Sequence, residues 1–80
     1  MKRDEALQIL EKERLKHYNW FYTHKLRPYE VLIEDLGEKW RVSAADERAC
    51  VVEESRTYFD REEDALDRFI KLVRLEKALL

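Results

Sequence analysis

The chain has 80 residues, enough to bury one core and not two. Its 16 basic and 18 acidic side chains leave a net charge of −2, and a hydrophobic share of 45% beside 42% charged residues excludes wholesale disorder. One glycine and one proline exclude collagen-like, low-complexity and Gly-rich phosphate-loop proteins.

The spacing of apolar residues predicts a first helix from about Asp4 to about Tyr22. Asp4 suits the N-cap, where a short carboxylate accepts backbone N–H groups of the first turn. At ~100° per residue, Ala6, Leu7, Leu10, Tyr18 and Phe21 share one face. Arg14 and His17 interrupt that stripe, and Arg14 is expected to lay its stem over the core and reach a carboxylate beyond it. Proline disfavours helical geometry in the residue before it, so the helix must end before Pro28, with Thr23 to Pro28 as a connector. Within the cluster Tyr18, Trp20, Phe21 and Tyr22, a helix cannot point every ring inward; the flanking Trp20 and Tyr22 either pack against the Arg27-Pro28 connector or leave Trp20 an exposed anchor for a protein partner.

A first strand is expected at about Tyr29 to Glu34, where Tyr29, Val31 and Ile33 alternate with Glu30, Leu32 and Glu34. Gly37 sits where a hairpin loop needs a residue tolerant of positive φ. A second strand is expected at about Lys39 to Ala44. Pairing Glu34 with Lys39 sets Ile33 opposite Trp40, Val31 opposite Val42, and Leu32 opposite Arg41 on the outer face. Residues Ala45 to Glu54 are irregular, with Val51 and Val52 either beginning the next strand or pinning the loop to the core. A third strand is expected at about Arg56 to Phe59.

A second helix is expected from Asp60, because Asp60 with Glu63 three residues later matches an acidic capping box. Ala65, Leu66, Phe69, Ile70, Leu72 and Val73 form its apolar stripe. Acids fill its first turn and Arg68, Lys71, Arg74 and Lys77 follow, which suits the helix dipole. The expected fold is α+β in the order α-β-β-β-α, one domain over residues 1–80, with two helices on one face of a three-stranded antiparallel sheet.

Charge is unevenly distributed. Residues 44–67 carry nine acids against Arg48, Arg56 and Arg61, a local net of −6, whereas residues 68–80 carry four bases and one acid. That excess of acid reads either as ordinary solvated surface with favourable charge at a helix N-terminus or as an anionic patch that docks a basic partner. Asp46, Glu47, Glu53, Glu54, Glu62 and Glu63 are its candidate residues, with Tyr58 or Trp20 as a nearby anchor.

Catalytic and metal chemistry find little support. His17 and His24, seven residues apart, would lie ~10 Å apart along one helix, too far to clasp one ion. Zinc wants three or four ligands, and Cys50 is the only thiol. Cys50 has no nucleophile context and is expected to be a small packed side chain. The paired acids Glu53-Glu54 and Glu62-Glu63-Asp64 match solvated charge runs better than an acid/base couple. The expectation is a non-enzymatic protein without cofactor or metal. The start Met1-Lys2-Arg3-Asp4-Glu5 shows no signal-peptide pattern, and no apolar run approaches the ~20 residues of a membrane span. With one cysteine and no internal disulfide, a cytoplasmic location without a membrane partner is expected.

The element order is similar to that of the double-stranded RNA-binding domain. That family's second helix starts with basic residues that grip phosphates; here the position reads Asp60-Arg61-Glu62-Glu63-Asp64. The loop Asp35-Leu36-Gly37-Glu38 also lacks that family's Gly-Pro-x-His signal. An acidic helix start repels phosphate, so no nucleic-acid partner is expected.

A second resemblance covers roughly the C-terminal half. Lys39-Trp40-Arg41-Val42, Asp46-Glu47-Arg48-Ala49, Tyr58-Phe59-Asp60, Glu63-Asp64-Ala65-Leu66 and Phe69-Ile70 together resemble small immunity proteins of bacterial polymorphic-toxin systems. The resemblance implies a cytoplasmic inhibitor that binds and blocks a cognate toxin, often a nuclease with a basic cleft. The alternative reading is a self-associating structural or regulatory domain, a homodimer, built through the aromatic cluster or the sheet.

Overall fold

The computed structural model describes residues 1–79. Two helices and four strands follow in the order α1 (Arg3–Lys12), β1 (Tyr18–Trp20), β2 (Val31–Asp35), β3 (Trp40–Ala44), β4 (Thr57–Phe59) and α2 (Glu62–Leu79), with a short 3₁₀ turn at Glu53–Ser55. The strands form one sheet in the order β1-β2-β3-β4. β1 runs parallel to β2, and the other two pairings are antiparallel. The α+β class is as expected, but the sheet is four-stranded and mixed rather than three-stranded and antiparallel.

The extra strand comes from the segment expected to continue the first helix. α1 stops at Lys12 because Arg14 takes a left-handed conformation at φ 52°. The Leu15 N–H reaches the Leu10 carbonyl at 3.0 Å and the Arg14 N–H reaches the Glu11 carbonyl at 3.1 Å. These two bonds make a Schellman stop, and Leu10 and Leu15, both buried in the core, supply its usual apolar contact. Glycine normally marks this position, and Arg14 stands there instead. Arg14 is therefore exposed beyond the helix end, not laid over the core. At the other end Lys2, not Asp4, occupies the N-cap, and Leu7 is 44% exposed although it shares the sequence-predicted apolar face.

The β2–β3 hairpin forms around Gly37, whose φ of 98° is the conformation its loop requires. The Asp35 carboxylate accepts the Gly37 N–H at 2.8 Å, and the Leu36 N–H bonds the Lys39 carbonyl at 2.8 Å. Ile33 pairs with Val42 and Val31 with Ala44, a register two residues away from the sequence expectation. A shift of two keeps every side chain on its expected face. The inner face therefore still carries Val31, Ile33, Trp40 and Val42, whereas Leu32 sits opposite Ser43 and Arg41 opposite Glu34.

α2 lies on the inner face against β2, β3 and β4, and α1 packs mainly on α2. Ala6, Leu10, Val31, Ile33, Val42, Leu66, Phe69 and Val73 belong to one buried cluster. Phe69 is fully buried, with the Tyr18 ring edge-on at 6.3 Å and the Trp20 ring at 5.9 Å. α2 begins at Glu62, and its first bond, from the Ala65 N–H, goes to the Arg61 carbonyl at 3.2 Å. Asp60 lies outside the helix with its side chain 87% exposed, so the expected capping box does not form.

Salt bridges tie α1 to α2 at both ends. Arg3 holds Glu62 with two bonds of 2.8 Å, and the N-terminal ammonium holds Asp67 at 2.6 Å. At the opposite end Arg74 and Lys77 meet the Glu13 carboxylate and carbonyl. Phe69→Ala removes the ring on which β1 and α2 meet. It is expected to cost about 3–5 kcal/mol, read as a fall in the urea midpoint by circular dichroism; an unchanged midpoint would place the ring outside the core.

Candidate functional site

The outer face of the sheet carries no helix, yet Asn19, Leu32 and Ser43 on it are buried. Two loops cover it. The connector of residues 21–30 crosses near β1 and β2, and the 45–56 segment with its 3₁₀ turn folds beside β3. The Ser55 hydroxyl accepts the Ala44 N–H at 2.9 Å, and Val51 bridges Ala45, so this second loop extends the sheet at its β4 side.

The sequence-predicted site residues fall into separate settings. Asp46 organises a turn, its carboxylate accepting the N–H groups of Arg48 at 2.9 Å and Cys50 at 3.0 Å. The Cys50 bond, then the Arg48 bond, hold the Asp46 carboxyl below its ordinary value. Glu62 lies on the helix side of the sheet, bound by Arg3 and by the Trp40 indole N–H at 3.2 Å. Arg3 first, and Trp40 after it, keep the Glu62 carboxyl below the usual carboxylate range. Glu63 pairs with Arg61 and Glu53 with Arg56, each at 3.0 Å. Exposed pairs of this kind contribute little to stability. Glu47 and Glu54 are exposed and make no ion pair among the described residues. Tyr58 is 51% exposed on the outer face of β4, with the Arg41 guanidinium 5.9 Å from its ring centre.

Trp20 is not near these acids. It lies on β1, at the opposite edge of the sheet from β4, and packs inward against Phe69 and Phe21. Cys50, expected to be packed, is exposed, because the interior of its turn is filled by the Asp46 carboxylate. Among the described residues no three His, Cys, Asp or Glu side chains converge on a metal position. No helix among them is long and apolar enough to cross a membrane.

The β1 edge holds a constellation that the sequence reading passed over. Residues 14–29 carry Arg14, Lys16, Lys25 and Arg27 with no acid, a local net of +4. Counting charge over the whole N-terminal half hides this run, because Glu11 and Glu13 precede it and Glu30, Glu34, Asp35 and Glu38 follow. Five of the six non-glycine residues with positive φ lie in the same segment: Arg14, His17, Phe21, Tyr22 and Tyr29. Each such residue costs roughly 1–2 kcal/mol, so the surroundings must hold them in place. Phe21 and Tyr22 form the turn closed by the Thr23 N–H on the Trp20 carbonyl, and Arg3 stacks on the Phe21 ring at 4.2 Å.

The clamp on this segment is Glu30, 4% exposed. Its carboxylate accepts the Arg27 N–H at 2.9 Å and the Asn19 amide at 3.3 Å, and lies 2.8 Å from His24 Nε2. The same Asn19 amide donates to the His24 carbonyl at 3.0 Å. The chain matches no family model, no curated protein and no solved structure among known proteins.

Glu30→Ala leaves several donors unsatisfied, and each buried unpaired group costs about 1–3 kcal/mol. Trypsin is expected to cut this variant first after Lys25, long before the native chain; identical digestion patterns would remove Glu30 from its clamping role. Acid stability follows from the lowered carboxyls of Glu62, Glu13 and Asp46. Their contribution is complete above the ordinary carboxylate value near 4.5 and is lost as pH falls through the lower folded values. Urea midpoints are therefore expected to hold from neutral pH to the mid-fours and then to fall, with Glu62→Gln showing the shallower fall.

Proposed function

We propose that the chain is a non-enzymatic protein-binding module, an immunity-type inhibitor that neutralises a cognate toxin, such as a nuclease, bearing a basic surface. The observation that carries this reading is the exposure of Tyr58 on β4 together with that of Glu47, Glu53 and Glu54 in the segment that leads into it. The Tyr58 ring has the Arg41 guanidinium 5.9 Å from its centre, Glu53 pairs with Arg56, and Glu47 and Glu54 make no ion pair among the described residues. Long-range attraction from those acids would speed encounter, and Tyr58 would supply buried contact area. The partner-binding set is accordingly narrowed to these residues. Asp46, Glu62 and Glu63 act in the turn and helix contacts already described, and Trp20 acts in the core.

The stretches that resemble immunity proteins serve the fold in this structure. Trp40 and Val42 face α2, Asp46 ties its turn, and Ala65, Leu66, Phe69 and Ile70 are the buried stripe of α2. Localisation in the cytoplasm belongs to the same proposal, since a cognate inhibitor must meet its toxin inside the cell it protects.

Where a toxin gene neighbours its own, co-expression with that toxin is expected to restore growth; failure to do so, with both proteins present, rejects the inhibitor reading. Glu53→Lys with Glu54→Lys is expected to slow association by about tenfold at low salt and to flatten its salt dependence, while dissociation changes little. The fold should survive, since exposed substitutions shift stability by about 0.5 kcal/mol or less. Stopped-flow association at several salt concentrations measures both quantities.

A further inference from the structure

We infer that the free edge of β1 is a strand-addition site for an extended peptide in which apolar and acidic residues alternate. This site lies at the sheet edge opposite β4 and is independent of the toxin-binding reading. β1 has one neighbour in the sheet, β2. The His17 carbonyl accepts the Val31 N–H at 2.9 Å, and backbone groups alternate in direction along a strand. Asn19 therefore turns its N–H and C=O toward β2, and Tyr18 turns both of its own away. The Trp20 carbonyl is taken by the Thr23 N–H, so the addition registers on Tyr18.

A cavity of about 690 Å³ runs beside this edge. Leu7 and Leu15 form its apolar wall on the helix side, and His24, Arg27 and Pro28 form the wall on the connector side. Lys16 and His17 also line an adjoining cavity of about 330 Å³ with Arg14 and Lys77, which extends the cationic surface toward the end of α2. An added strand sends alternate side chains to the two sides of the sheet. On one side they meet Leu7, 44% exposed and without a partner to cover it. On the other they meet Arg27. Glu30 is the one carboxylate lining the main cavity, and its oxygens are already held by Asn19, His24 and the Arg27 N–H. The net field offered to an occupant is therefore positive, which selects acids at the connector-side positions. Main-chain bonds supply affinity in this mode and the alternating side chains supply specificity.

The test is fluorescence anisotropy of the full chain with a labelled Glu-Val-Glu-Leu-Glu-Val peptide. Its comparators are the version with Lys for every Glu and two versions N-methylated at alternate amides. The acidic peptide is expected to bind at least about tenfold more tightly than the lysine version, and one methylated set is expected to lose binding while the other keeps it. Saturating peptide should slow exchange of the Tyr18 amide in NMR. Lys16→Glu with Arg27→Glu, its circular dichroism unchanged, should weaken binding by about tenfold or more. Absence of binding by the acidic peptide overturns the inference, as does equal binding of both methylated sets. Competition by free citrate as effective as that by unlabelled peptide also overturns it, since the site would then be a simple anion pocket.

Discussion

Parallel pairing of β1 with β2 is the constraint from which the rest of the architecture follows. Two parallel neighbours need a crossover that returns the chain to the starting end, and here residues 21–30 make it without a helix. A crossover without secondary structure leaves backbone groups to be satisfied one by one. Glu30 meets much of that demand from a buried position, accepting from the Arg27 backbone and the Asn19 amide and holding His24. Burying a carboxylate is tolerable only with such partners around it. The same crossover covers the outer face over Asn19 and leaves β1 as an edge.

The helix layer answers a different requirement. α1 is short and packs mainly on α2, so its position depends on ties at both ends. Arg3 and the N-terminus reach Glu62 and Asp67 at one end; Arg74 and Lys77 reach Glu13 at the other. Individually these exposed pairs are weak. Their value is in orientation: with Leu10 and Leu15 buried behind them, they fix where the chain leaves α1, and hence where β1 meets the Tyr18–Phe69–Trp20 contact.

The two proposed binding surfaces lie at the edges of the sheet rather than in a cleft. β1 and β4 are both three residues long, a length that limits unwanted pairing between copies. Lys16 and Arg27 lie near β1, and Glu53 and Glu54 lie in the 3₁₀ turn that leads into β4.

Much of the C-terminal half was legible in the sequence. Period-two alternation placed β2 and β3 and their faces, Gly37 marked the hairpin loop, and the stripe Ala65, Leu66, Phe69, Ile70, Val73 marked the buried side of α2, because local periodicity alone defines a face. The hairpin register escaped by two residues, since the expected Glu34–Lys39 and observed Asp35–Trp40 pairings enclose turns of the same length and preserve the same faces. The N-terminal half was not legible beyond Lys12. Tyr18 and Phe21 continue a helical apolar period, and nothing local announces that Arg14 and His17 adopt left-handed backbone, a conformation ordinarily signalled by glycine or asparagine. The Glu30–His24–Asn19 clamp joins residues that one-dimensional reading assigns to a helix, a connector and a strand. Only the tertiary structure could decide it, because the driving term is the burial of β1 against Phe69, which exists once α2 is in place.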